Sequence, residues 1–143
     1  GETKSANRLR PDTIMRISES IFVLDAKYYA YSTYRTVDTL PTAADINKQV
    51  TYGAYAAGRH PGTRIYNAFL LPDDLGQAAP FRCLGYAKMC GAERHKPADK
   101  EYESVLGILV DTKWLLTHIG RADRNELAAY IREKRAEIHT AEL

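Results

Sequence analysis

Apolar and polar positions alternate in blocks along this chain, and the blocks predict a short list of elements. Residues 13–18 and 20–27 are two apolar runs flanking a polar turn, the pattern of a β-hairpin. Residues 28–40 are rich in Tyr, Ser and Thr and read as a loop or irregular extension. Leu40-Pro41-Thr42-Ala43-Ala44-Asp45 reads as a helix start, with Pro41 in the first turn, Thr42 as cap and Asp45 three residues on, a variant of the capping box. Ile46, Gln49, Val50, Gly53, Ala54 and Ala57 then recur at helical spacing, which predicts a helix that stops at Gly58.

Residues 64–71 read as a strand buried on both faces, and Pro72-Asp73-Asp74-Leu75-Gly76 as a loop. Residues 81–89 read as a further strand, 92–101 as a polar loop, 105–110 as a β run, and 112–116 as a turn into helix. Arg124–His139 is amphipathic, with Leu127, Ile131 and Ile138 on one side. The fold class that follows is α/β, with a mixed sheet in the α+β manner: hairpin, helix, strand, then flanking helices.

At 143 residues one domain, 1–143, is the natural count, long enough for one substantial core. The apolar and charged fractions, 45% and 27%, are those of an ordinary globular chain. No segment approaches the apolar length of a membrane span, and residues 1–4 have no apolar signal region, so the expectation is a cytoplasmic protein without membrane contact. Net charge is only +2 and the pI near 8.5, mildly basic rather than the footprint of a strong nucleic-acid binder. Basic residues do gather locally, at Lys4, Arg8 and Arg10 and again at Arg82, Lys88, Arg94, His95 and Lys96; a solvated surface and phosphate contact are the two readings. Cys83 and Cys90 give neither a disulfide framework nor zinc-ligand spacing and read as buried free thiols. His60, His95, His118 and His139 are scattered and form no close pair. The Tyr28-Tyr29-Ala30-Tyr31 run with Tyr34 suits partial core packing or a surface that touches DNA.

The chemistry concentrates in the hairpin. Pro11-Asp12 opens its first arm and Asp25-Ala26-Lys27 closes the second. Paired arms bring their ends together, and side chains two apart on a strand share a face, so Asp12, Asp25 and Lys27 are expected around one point. Taken singly, Asp12 after a proline is a turn residue, and Asp25 with Lys27 is a surface ion pair. Taken together, two carboxylates supply hard oxygen donors suited to Mg²⁺ or Mn²⁺, and an adjacent ammonium can hold a water or offset charge on a phosphate.

This arrangement resembles the PD-(D/E)XK nuclease superfamily. Arg10-Pro11-Asp12, Leu24-Asp25-Ala26-Lys27-Tyr28-Tyr29, Asp45-Ile46-Asn47-Lys48-Gln49 with Tyr52, and Asn67-Ala68-Phe69-Leu70-Leu71-Pro72 together look like the catalytic part of LlaJI-type restriction endonucleases, with McrC-like nuclease subunits similar over the first two blocks. The resemblance covers residues 8–73. It implies a restriction-endonuclease-like core and an Mg²⁺-dependent endodeoxyribonuclease acting in an anti-phage restriction system. Mg²⁺ is the implied cofactor, with Mn²⁺ able to substitute. Asp12, Asp25 and the Ala26 carbonyl would ligate the metal, Lys27 would hold the attacking water, and Gln49 would lie beside the site. Arg10, Lys48 and Tyr52 would contact or support DNA. Tyr52 stands three residues after Gln49 rather than four, which departs from RecB- and McrC-like spacing and favours the LlaJI-like reading.

The implied partners are double-stranded DNA, a DNA-recognition domain or subunit and, to cut both strands, a second copy of the chain. The McrC-like alternative adds a separate NTPase, since the chain carries no phosphate-binding Gly-x-x-x-x-Gly-Lys loop. A third reading is a non-catalytic assembly module that kept the fold. Superfamily members often carry a further Glu on a helix ahead of the hairpin. Only eleven residues precede Asp12, so the expectation is a catalytic fragment of a larger protein without that helix.

Overall fold

The run Ile21-Phe22-Val23-Leu24 fixes the centre of the molecule: each of its side chains is 3% exposed or less, so this strand has apolar neighbours on both faces. In the computed structural model, which describes residues 13–27, 41–76, 79–89, 100–118 and 124–142, it forms β2 (Ser20–Ala26). β1 (Thr13–Ile17) runs antiparallel to it, with Thr13 opposite Leu24 and Ile17 opposite Ser20, so the tight turn is Ser18-Glu19. Ser18 takes a left-handed φ of 55°, as such two-residue turns require.

Helix α1 (Ala43–Arg59) then crosses to β3 (Arg64–Asp73), which lies parallel to β2. β4 (Phe81–Lys88) and β5 (Ser104–Asp111) follow, β5 parallel to β3 and β4 antiparallel to β5. The sheet order is β1-β2-β3-β5-β4. A 3₁₀ turn (Glu101–Glu103) leads into β5, and α2 (Thr112–His118) and α3 (Arg124–Glu142) end the described chain. The expected hairpin, helix and strand are therefore present, in a mixed sheet flanked by helices.

Alternation along the strands sorts the core into two layers. Phe22, Leu24, Tyr66, Ala68, Leu106, Ile108 and Val110 face one way and meet Leu127, Ala128 and Ile131 of α3. Ile21, Val23, Ile65, Phe69, Leu71, Val105 and Leu109 face the other way, beneath Val50, Tyr52 and Ala56 of α1. Fully burying an aliphatic or aromatic side chain contributes about 1.5–3 kcal/mol, so these two layers supply most of the driving force.

Two boundaries and one burial differ from the sequence reading. α1 continues through Gly58 to Arg59 and is closed by the His60 N–H donating to the Ala56 carbonyl; the left-handed glycine is Gly62 (φ 81°), four residues later. β3 runs on through Pro72-Asp73, read above as loop. Pro72 is tolerated because the β2 ladder ends at Ala26–Leu70, leaving that side of β3 an edge. Cys83 is half-buried rather than buried, and Gly85 (φ 142°) sits at a bulge where the β4–β5 register shifts. Cys90, Arg94, His95, Lys96, the tyrosines of residues 28–34 and the basic group at residues 4–10 lie outside the described residues.

Two glycines of α1 give opposite expectations. A Cβ on Gly53 would stand 2.6 Å from the Tyr102 Cβ, an atom that cannot swing away, whereas nothing lies within 4 Å of a Cβ on Gly58. Gly53→Ala is expected to destabilise by about 1–3 kcal/mol despite its better helix propensity, and Gly58→Ala to stabilise by roughly 0.5–1 kcal/mol. Urea unfolding of the two variants checks both signs.

Candidate functional site

After four buried apolar residues, β2 ends on Asp25 and Ala26, and Lys27 follows directly, all three half-buried. Asp25 and Lys27 share the parity of Ile21 and Val23, so they face α1. The backbone N–H of Lys27 donates to the Leu70 carbonyl at 2.8 Å, which keeps the strand geometry through the lysine. The Lys27 Nζ lies 3.0 Å from Asp25 Oδ2 and 3.4 Å from Asp45 Oδ1. One ammonium thus bridges the end of β2 to the first turn of α1.

Asp45 arrives there as part of the helix cap. Its Oδ2 accepts from the Thr42 backbone N–H at 2.9 Å and from the Thr42 hydroxyl at 3.1 Å, while its own N–H donates to Thr42 Oγ1 at 3.2 Å. The capping box read from the sequence is complete, and its spare oxygen reaches Lys27. Burial by itself raises the Asp45 pKa, but the Thr42 hydrogen bonds and the Lys27 charge outweigh it and hold the carboxyl below its ordinary value of 3.8. Burial likewise pulls Lys27 down, and the hydrogen bond and charge of Asp25, joined by Asp45, carry it above its ordinary 10.5. Lys27 is therefore a committed cation at neutral pH.

One turn further along α1, Gln49 is turned into the sheet and is only 1% exposed. Its Nε2 donates to Asn67 Oδ1 at 2.9 Å. Asn67, equally buried on β3, donates from Nδ2 to the Gln49 carbonyl at 2.6 Å and to the Tyr102 carbonyl at 3.3 Å. Tyr52, the next residue on this face, is 6% exposed among Ile21, Val23, Ala56 and Ile65, which leaves its ring for packing. Lys48 is exposed, with its ammonium 5.9 Å from the Tyr52 ring centre.

Of the residues singled out in the sequence, Asp25 and Lys27 are in contact, and Ala26 stands between them in the chain. Gln49 lies on the same face of the sheet, its amide nitrogen engaged by Asn67. Asp12 and Arg10 lie outside the described residues; the outermost described pair of the hairpin, Thr13–Leu24, adjoins Asp12 and Asp25 in sequence. Asp45 and Asn67 are the additions. Both open motif blocks of the family resemblance but carry no site role in the sequence reading, where Asp45 is a helix-capping residue; Asn67 is a polar residue inside the apolar part of a strand, which is itself the signal that a buried partner awaits it. Among the described residues no group of three or more His, Cys, Asp or Glu is placed to hold a metal ion; Asp25 and Asp45, on either side of Lys27, are the acids at this point.

Residues 2–90 match the profile of the LlaJI restriction endonuclease family, well over half of the chain, so the chain belongs to that family of restriction nucleases, which act on DNA. The matched span takes in the hairpin, α1, β3 and β4 and therefore every residue of the site just described except Tyr102. No curated protein and no solved structure matches the chain. Among the described residues no helix is long and apolar enough to cross a membrane.

Two outcomes follow from the polar contacts between α1 and the sheet. Asn67→Ala removes the partner of the buried Gln49 amide nitrogen and a donor to the Gln49 and Tyr102 carbonyls, and is expected to cost about 1–3 kcal/mol in denaturant unfolding. Asp45 has a lowered pKa in the fold, so its contribution is present above pH 4 and is lost as pH falls through the folded value. The Tm gap between the parent chain and Asp45→Asn, measured from pH 7 to pH 2.5, should therefore close at the acid end.

Proposed function

We propose that this chain is the catalytic part of its restriction endonuclease and hydrolyses DNA phosphodiester bonds with a divalent metal ion. The observation that supports this most is the Lys27 ammonium held 3.0 Å from Asp25 at the end of a strand that is otherwise sealed in apolar contacts. Charged groups at the half-buried end of an apolar strand carry a desolvation cost, and bridging to α1 through Asp45 uses only part of what they offer. A reaction at a phosphate would use the rest.

The donor chemistry fits a hard cation such as Mg²⁺, with Mn²⁺ able to replace it: carboxylate and carbonyl oxygens, and no thiolate or imidazole in the set. Asp25 and Asp12, with the Ala26 carbonyl, would hold it, and it would supply Lewis acidity and a more acidic bound water.

The remaining roles belong to the chain's own groups. Lys27 stays protonated, so it acts as a donor and not as a base: it orients the attacking water and offsets negative charge growing on the phosphate. Asp45 positions Lys27 from the helix side, and Gln49 with Asn67 fixes α1 against β3 so that this spacing persists. Lys48, exposed one turn into the helix, and Arg10 are placed in this reading as contacts to the DNA backbone. The source of sequence recognition and a second copy for the opposite strand would be supplied by other domains or chains; a separate NTPase belongs to the McrC-like alternative.

Cleavage of plasmid DNA in Mg²⁺ tests the reading. In preparations shown free of contaminating nuclease, Lys27→Ala and Asp25→Asn are expected to slow cleavage by roughly 10²–10⁴-fold while far-UV circular dichroism stays that of the parent. Parental rates in both variants would overturn it. Absence of Mn²⁺ binding in millimolar calorimetry would point instead to a non-catalytic assembly module.

A further inference from the structure

The sheet carries a second polar concavity, on the face opposite α1 and at the other end of the strands. It is a cavity of about 240 Å³ lined by Arg64, Tyr66, Glu101, Arg132, Arg135 and His139. Arg64 opens β3 and pairs in register with Ser20, the first residue of β2. Asp25 and Lys27 lie at the far end of that strand, roughly 20 Å away at about 3.3 Å per residue.

Its cations are unusually placed. Arg135 is 3% exposed, yet its only hydrogen-bond partners among the described residues are neutral: the Glu101 carbonyl 3.1 Å from Nε and the Lys100 carbonyl 3.4 Å from Nη2. Arg132 donates from Nη2 to the Ile17 carbonyl at 3.4 Å, and its guanidinium lies 5.3 Å from the Phe22 ring centre. Among the described residues, none of Arg64, Arg132 and Arg135 forms an ion pair. Glu101 contributes the one acidic side chain of the lining and is not within ion-pair distance of them. A guanidinium does not deprotonate, and burying one without a counter-charge costs several kcal/mol. Two more guanidiniums at the same cavity add repulsion. An anion removes both penalties.

We propose that this cavity is a binding site for a phosphoryl group, either free or at the end of a nucleic-acid strand. The number of forks decides the chemistry. A carboxylate has two oxygens and saturates one guanidinium in the bidentate manner, whereas a phosphoryl group presents three or four oxygens to three guanidiniums. The space also fits: at about 30 Å³ per water, the cavity holds roughly eight waters, enough for a phosphate or pyrophosphate. The site does not depend on the nuclease reading.

Calorimetry and thermal shift on the whole chain, at constant ionic strength and without metal, test the proposal with four probes: inorganic phosphate, pyrophosphate, and one oligonucleotide with and without a 5′-phosphate. The parent chain is expected to bind pyrophosphate. Arg64→Ala, whose side chain is exposed so that its loss spares the core, and Arg132→Gln should each weaken binding roughly 10- to 100-fold, the range of a lost charge-assisted hydrogen bond. Lys27→Ala should bind as the parent does. Binding of phosphate and pyrophosphate alone identifies a free ligand; preference for the 5′-phosphorylated oligonucleotide over its unphosphorylated twin identifies a strand end. The proposal fails if no probe binds at millimolar concentration, if Arg64→Ala and Arg132→Gln bind like the parent, or if Lys27→Ala abolishes binding and so moves the phosphate to the other end of the sheet.

Discussion

A strand that is apolar on both faces can carry charge only where it leaves the core, and this constraint governs the molecule. β2 contributes four consecutive side chains to the two hydrophobic layers, then changes character within one residue at Asp25. Up to Leu24, every side chain answers to packing. From Asp25 onward the strand still has its backbone tied to β3, through the Lys27 N–H, but its side chains face a margin where water and ions can enter. The ladder supplies rigidity and the margin supplies polarity. A pair of opposite charges held on a fixed strand is worth more to chemistry than the same pair on a loop, because its geometry does not have to be organised at the moment of reaction.

α1 transmits that rigidity to the second acid. Its inner face changes from polar to apolar along its length: Asp45 on Lys27, then Gln49 on Asn67, then Tyr52 and Ala56 on Ile21, Val23 and Ile65. The apolar half provides most of the energy of docking. The Gln49–Asn67 pair contributes little net free energy but fixes rotation and register, because a slip of the helix would bury unsatisfied amides at considerable cost. Gly53 allows the close approach, with the Tyr102 side chain lying where a side chain on Gly53 would be. Asp45 is thus held by its cap at one oxygen and offers the other to Lys27 at a distance set by core packing two turns away.

Much of this was legible in the sequence, and the parts that were not share a cause. The hairpin, α1 and the buried strands announce themselves through local periodicity, and the capping box through local spacing. Asp25 and Lys27 were readable because strand parity puts residues two apart on one face whatever the rest of the fold does. The contact of Asp45 with Lys27 was not readable, since a capping carboxylate has a second oxygen whose partner depends on which strand the helix lands against. The partner of the Gln49 amide nitrogen, Asn67, is eighteen residues away and so lies beyond any local reading. Pro72 misled for a similar reason: proline argues against a central strand, but β3 becomes an edge on one side just where β2 stops, a fact of strand lengths and not of local composition. Long-range pairing, invisible to a window of ten residues, decides each of these.

Charge is distributed along the strand axis, which explains how a nearly neutral chain can serve an anionic substrate. Acids collect at the ends of the parallel strands: Asp25 on β2, Asp73 on β3, Asp111 on β5. Asp111 spends its carboxylate on the N–H groups of Leu75 and Trp114, anchoring one loop and the start of α2, so not every acid at that end is available to a cation. Arginines collect at the strand starts, at Arg64, Arg132 and Arg135. A margin rich in carboxylates repels phosphate unless a cation offsets them, and Lys27 is an ammonium seated between two acids, Asp25 and Asp45. The net charge of +2 conceals this separation. What matters to a polyanion arriving from solution is the local sign at each end of the sheet, and over roughly 20 Å, about twice the screening length of physiological salt, the two ends act independently.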